Sequence, residues 1–347
     1  MGILATVSEG RPTKLEGNPI HPLSKGALTA FYQASVLSLY DPDRLKQGRR
    51  GKDKLSQKDM ISLLSSVSRR YKKNQGRGLS ILMENQVSPT IHALLLRFKR
   101  QFPNARLHRY EPINRDNVRQ GLYSVTKKSI MPQIHFEKAD VVVSFDHDFL
   151  GSVTDHITHV SGFSGRRSPE DNELNRLYMF ESNYSVTGTR SDHRFKLRRS
   201  QVPLAILQLV DRLASYGVIS VRAELRDLIQ KSKNMFVFDS LIVDEIALDL
   251  IHSKGKSVVT AGSMQSSVVH ELVYLINQGL QNNGKTVTYH VVPFLDNPVV
   301  EKSRVDSLSD LVSDISSGGV GTLIVLGGDP VFNAPSDSKF KSLYKTI

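Results

Sequence analysis

Short, nearly continuous apolar runs alternate with helix-periodic stretches along most of this chain. GLSILMEN, ADVVVSFDHDF, KSVVTAG and GTLIVLGGDP are the runs. A continuous apolar run of this length reads as a strand buried on both faces. SPTIHALLLRFKRQF, VPLAILQLVDRLASYG and QSSVVHELVYLINQGLQNNG repeat apolar residues every three to four positions, the signature of a helix with one buried side. Such an alternation packs as parallel sheets with helices on both faces. The expected class is therefore α/β, with two Rossmann-like parallel-sheet domains at 55–216 and 217–347, preceded by an irregular segment at 1–54. That segment holds one expected helix, around QASVLSLYDPDRL. Ser88 and Pro89 are expected to open one helix and Asn114 another. The last block shows only three clear strands, so the second domain is expected to be incomplete at its C-terminus.

Composition narrows the chemistry. There is no cysteine among the 347 residues, so disulfides, thiol catalysis and cysteine-ligated iron–sulfur or zinc sites within this chain are excluded. No apolar run approaches the roughly 20 residues that span a bilayer, and the N-terminus as it stands has no signal-peptide pattern. The formal net charge is +12, which suits an acidic partner or an anionic surface. The basic clusters RLKQGRRGKDK and RRYKKNQGR lack the interleaved aromatics that stack nucleobases, so no nucleic acid is expected as a partner.

In parallel α/β folds, ligands bind at the carboxyl ends of the strands. The candidate site residues sit there: Asp146, Asp148, Glu181, Gly262, Ser263, Gly327, Gly328 and Asp329. Gly327 and Gly328 allow close backbone approach to a phosphate or sugar, and the AGSMQSS turn can offer N–H groups to an anion. Each also serves an ordinary strand-to-helix turn. DHDFLGSVTDHITH gathers Asp146, His147, Asp148, Asp155, His156 and His159. These are metal-ligating types, but no helix is evident to align His156 with His159, and a hydrated strand end is the plainer reading. Asp146 and Asp148 are expected on one side of the strand, where repulsion would raise a pKa. No G-x-S-x-G elbow is present. No catalytic residue and no metal ligand is assigned.

The stretch EGRPTKLEGNPIHPLSKGAL (9–28) resembles the segment after the cysteine-rich start of molybdopterin oxidoreductases. LYDPDRL (39–45) and LIVLGGDP (323–330) resemble two further motifs of that superfamily. Together with SPT (88–90), YEPINRDN (110–117), ADVVVSFDHDFLGS (139–152) and NRLYMFESNYSVTGTRSDHR (175–194), they look closest to the molybdopterin-oxidoreductase-like subunit of alternative complex III and related quinone-linked respiratory complexes. The departures are specific. Where catalytic members carry the last cluster cysteine and a nearby lysine, this chain has Thr29 and Phe31. The turn that helps hold a guanine nucleotide is replaced at Leu197–Gln201, and an asparagine by Asp329. The resemblance thus implies a cofactor-free, non-catalytic module of a membrane-attached quinol-oxidising complex. Residues 9–31 would be the remnant of a cluster-and-pterin wrap, kept because it packs the domain and presents surface. The implied partners are multihaem cytochrome c and quinol-binding membrane subunits, on the periplasmic side of the inner membrane. Iron–sulfur clusters would belong to a missing downstream half. An active molybdopterin-dependent oxidoreductase and a nucleotide-binding α/β protein stay open as alternatives.

Overall fold

The protein's structure, a computed structural model, describes residues 2–85, 88–151, 156–168, 174–291 and 306–347. The first 54 residues are less irregular than expected and contain two antiparallel hairpins. β1 (Ile3–Ser8) pairs with β2 (Arg11–Gly17), and β3 (Gly48–Arg50) with β4 (Asp53–Leu55). The first hairpin turns on Glu9 and Gly10, both in the left-handed region, as a two-residue hairpin loop requires. The expected helix at 33–45 shortens to α1 (Ala30–Ala34) and a 3-10 turn ending at Leu39.

The alternation then follows the sequence closely. α2 (Gln57–Lys72) leads to β5 (Leu79–Met83), α3 (Pro89–Gln101), β6 (Arg106–Arg109) and α4 (Asp116–Thr126). Next come β7 (Ile130–Ile134), β8 (Val141–Phe145), α5 (His156–Ser164), β9 (Arg176–Glu181), α6 (Val186–Thr189), β10 (His193–Lys196) and α7 (Val202–Ser215). The remainder is α8 (Ala223–Ser232), α9 (Ser240–His252), β11 (Ser257–Ala261), α10 (Ser267–Gly279), β12 (Val287–Val291), β13 (Asp306–Ser307), α11 (Leu308–Ser316), β14 (Thr322–Leu326), α12 (Pro330–Asn333) and α13 (Phe340–Leu343). Ser88 caps α3 as expected, its hydroxyl accepting from the Ile91 N–H. Asn114 is not the N-cap residue of α4: the helix starts after Arg115, and the Asn114 amide donates to the Glu111 carbonyl.

The chain divides into two units, each discontinuous in sequence: residues 2–42 with 115–291, and 43–114 with 306–347 among those described. This corrects the consecutive domains at 55–216 and 217–347. In the first unit, β11 joins β8 at the edge of a parallel sheet ordered β10-β9-β8-β11, with Ser257 opposite Val141. In the second, β14 joins β5 in a parallel sheet ordered β13-β6-β5-β14, with Thr322 opposite Leu79. Late strands therefore complete sheets begun by early ones. β7 and β12 form a separate antiparallel pair in the first unit.

Side-chain alternation builds the layers of each unit. Val141, Val143 and Phe145 of β8 face α7, α9 and α10, packing with Ile206, Val210, Leu250 and Ile276. Val142 faces the other way, into a cluster with Phe136, Phe149 and Phe163. In the second unit Ile81 and Met83 pack with Leu95 of α3, while Leu82 packs with Leu311 and Ile315 of α11.

Candidate functional site

In the first unit the candidate residues gather where β8, β9 and β11 end. β8 stops at Phe145, and Asp146 adopts a left-handed φ of 54°. That reversal breaks the strand alternation, so Asp146 and Asp148 take separate partners rather than repelling on one side. The Asp146 carboxylate accepts from Arg199 Nε at 2.8 Å and from Gln265 Nε2 at 3.0 Å. Asp148 Oδ1 accepts from the Thr187 N–H at 2.9 Å and its hydroxyl at 2.7 Å. Glu181, whose side chain is 2% exposed, accepts from Arg194 Nε and Ser185 Oγ, each at 2.5 Å. The Arg194 guanidinium also lies 3.6 Å over the Tyr184 ring. An unpaired carboxylate at that depth costs about 3–5 kcal/mol, which Arg194 offsets.

Gly262 follows β11, and a Cβ there would overlap the Asp146 carbonyl oxygen. Its lack of a side chain lets the turns after β8 and β11 pack against each other. Ser263 lies in the turn leading to α10. Arg199 lies in the turn at Leu197–Gln201 and supplies the cation that Asp146 binds.

Histidines line the same end of the sheet. His147 Nδ1 lies 2.8 Å from the Thr260 hydroxyl. The buried His159 ring meets Phe136 edge-on at 5.1 Å and the His147 ring at 6.1 Å. Contrary to the expectation of no helix, α5 runs over His156–Ser164 and carries His159 inward. Asp155 and the His156 side chain lie outside the described residues. Among the described residues, no three ligating side chains are grouped to hold a metal ion. Burial, reinforced by Arg115, pushes His270 down to about 4. Burial and the nearby His159, Arg115 and His270 push His147 down to about 3. Both are neutral near pH 7 and pack as uncharged rings.

In the second unit Gly327 and Gly328 follow β14 with φ of 69° and 62°. A Cβ on either would stand 3.0 Å from a carboxylate oxygen of Glu84, at the end of β5. Asp329 Oδ1 accepts from the N–H groups of Val331 at 3.1 Å and Phe332 at 3.2 Å, capping α12. Two carboxylates thus flank the glycine turn. An anionic ligand would meet like charge there. Glu84 was readable as a strand-end carboxylate; its position over the glycines depends on β14 pairing with β5.

The opening segment of the first unit folds on itself. Gly26 N–H donates to the Asn18 carbonyl at 3.0 Å, and Tyr40 OH to the Pro12 carbonyl at 2.5 Å. Thr29 is the N-cap of α1, and Phe31 is exposed. Of residues 2–40 only Ser24 and Val36 are buried. The segment presents surface, but it contributes little to a core, contrary to expectation.

No family model matches the chain. A stretch of 47 residues, 14% of this chain and 7% of the relative, is 43% identical to the menaquinone reductase, molybdopterin-binding-like subunit of Nitratidesulfovibrio vulgaris strain Hildenborough. Acetylene hydratase from Pelobacter acetylenicus superposes with a TM-score of 0.61 at 11% identity, over 82% of this chain and 42% of that one. The chain therefore spans less than half of that protein. The formyltransferase/hydrolase complex from Methylorubrum extorquens with methylofuran gives a TM-score of 0.47 at 13% identity, covering 83% and 77% of the two chains, below the level at which two folds coincide. The short match agrees with the superfamily-level resemblance of the motifs, and the acetylene hydratase likeness is one of fold.

Proposed function

We propose that this chain is a non-catalytic, molybdopterin-oxidoreductase-like module of a membrane-attached quinol-oxidising electron-transfer complex. One observation carries the reading: the polar groups at the strand ends are engaged within the chain. Asp146 is held by Arg199 and Gln265, Asp148 by Thr187, Glu181 by Arg194, and Asp329 by the start of α12. A phosphate-rich cofactor needs outward donors and no facing carboxylates. The short likeness to a menaquinone reductase subunit supports a place in a quinone-linked hetero-oligomer. On this reading multihaem cytochrome c and quinol-binding membrane subunits are the partners, on the periplasmic side, and the chain carries no cofactor of its own.

The test is metal, iron and released-pterin analysis of the protein purified from its native host, with its co-purifying subunits identified. The expected result is no molybdenum, tungsten or pterin assignable to this chain, with cytochrome or membrane subunits present. Near-stoichiometric metal and pterin would overturn the proposal in favour of an active oxidoreductase. A retained nucleotide without metal would favour a nucleotide-binding protein.

A further inference from the structure

We infer that α2 and the β3–β4 hairpin of the second unit form a docking surface for an anionic lipid bilayer. α2 is amphipathic along its whole length, but only its last turns are packed. Tyr71 is buried with Leu79 and Phe102, and Val67 lies against them. The first two turns leave Met60, Ile61, Leu63 and Leu64 exposed, Ile61 at 59% and Leu64 at 55%. The hairpin stands beside these residues: a Cβ on Gly48 would lie 3.1 Å from the Met60 sulfur. Its own Arg49, Arg50, Lys52 and Lys54 are all exposed.

Charge concentrates here. Residues 43–77 hold twelve Lys and Arg against three Asp, a net +9 of the chain's +12. An exposed aliphatic strip beside dense positive charge matches a lipid interface, where the strip enters the acyl boundary and the cations meet headgroups. Each Lys or Arg near an anionic membrane surface contributes about 1 kcal/mol. A protein partner fits less well. Such interfaces are enriched in aromatic residues and depleted of lysine, whereas residues 43–70 contain no aromatic residue and four lysines. Among the described residues no helix is long and apolar enough to cross a membrane, so the attachment would be peripheral. This inference goes beyond the electron-transfer reading and does not rest on it: vesicle binding by this chain and its subunit partners are separate measurements.

The test is co-sedimentation of the 347-residue chain with vesicles of phosphatidylcholine alone and of phosphatidylcholine mixed with phosphatidylglycerol. Binding is expected to the mixed vesicles only, and to weaken with added salt. Ile61→Ser with Leu64→Ser should lower the partition about tenfold, and Arg49→Glu with Arg50→Glu, which reverses two charges, should lower it by more than that. Ile61→Phe, which keeps the face apolar, should bind like the parent. These positions are exposed, and circular dichroism checks that each variant is folded. No binding to mixed vesicles, or equal binding to neutral ones, would overturn the inference. So would undiminished binding of the Ile61→Ser, Leu64→Ser variant, which would mark adsorption by charge alone.

Discussion

His270 links the interior of the first unit to pH. Its ring is 5% exposed, its Nε2 has no hydrogen-bond partner, and Arg115 adds positive potential. The folded value near 4 lies below the usual value near 6.5. The unfolded chain therefore takes up this proton first as the solution is acidified. The stability tied to neutral His270 is fully present above about pH 6.5 and is lost as pH falls toward about 4, at up to roughly 1.4 kcal/mol per pH unit. His147, pushed down to about 3, adds a similar loss over the same window, so removing His270 takes away only part of the slope. Urea unfolding at several pH values should show the parent losing stability through this window and His270→Gln losing less per unit. Equal acid slopes would show that another group carries the loss. The site residues themselves were legible by type, as carboxylates and glycines at strand ends. Their partners were not, because Arg199 and Gln265 reach Asp146 across 53 and 119 positions of chain.

Elements were legible where one physical signal dominated. β5, β8 and β11 are buried at every residue, and their sequences are correspondingly apolar, broken only by the small hydroxyl residues Ser80, Ser144, Ser257 and Thr260. β7 was missed because Pro132 breaks the pattern; proline supplies no ladder donor, and β7 lies in a two-stranded pair. The edge of β11 is closed in a way only the fold reveals: the Asn277 side chain accepts from the Val259 N–H at 3.1 Å and donates to its carbonyl at 2.7 Å. Helix packing depends on a single small residue in α4. A Cβ on Gly121 would overlap the Ser267 carbonyl and stand 2.8 Å from His270 Cβ. The obstacle is α10 backbone and the root of a buried side chain, so the helices must separate. Gly121→Ala should cost about 1–3 kcal/mol by overpacking. Gln120→Ala, on the exposed side of the same helix, should stay within about 0.5 kcal/mol. Chemical denaturation of the two variants checks the contrast, and equal stabilities would mean that the contact relaxes freely.

At the scale of the molecule, strand-helix alternation conveyed the α/β class but not the order of the sheets. Alternation is local, whereas β14 finds β5 some 240 residues away by register, Thr322 against Leu79. Each unit nevertheless closes its own apolar clusters: Leu213 lies in that of α7, α9 and α10, and Leu311 in that of α11 and α13. Both side chains are fully buried, so truncation should cost about 2–5 kcal/mol at either site. If each unit folds on its own cluster, calorimetry of the parent will resolve two transitions. Leu213→Ala will then lower one of them and Leu311→Ala the other, each leaving its counterpart in place. Two-state behaviour is a property of single cooperative cores, so a single transition lowered by both substitutions would mean that the units unfold together. The discontinuous connections then acquire a role, since the chain passes between the units three times and such crossings can couple their unfolding through covalent constraint alone.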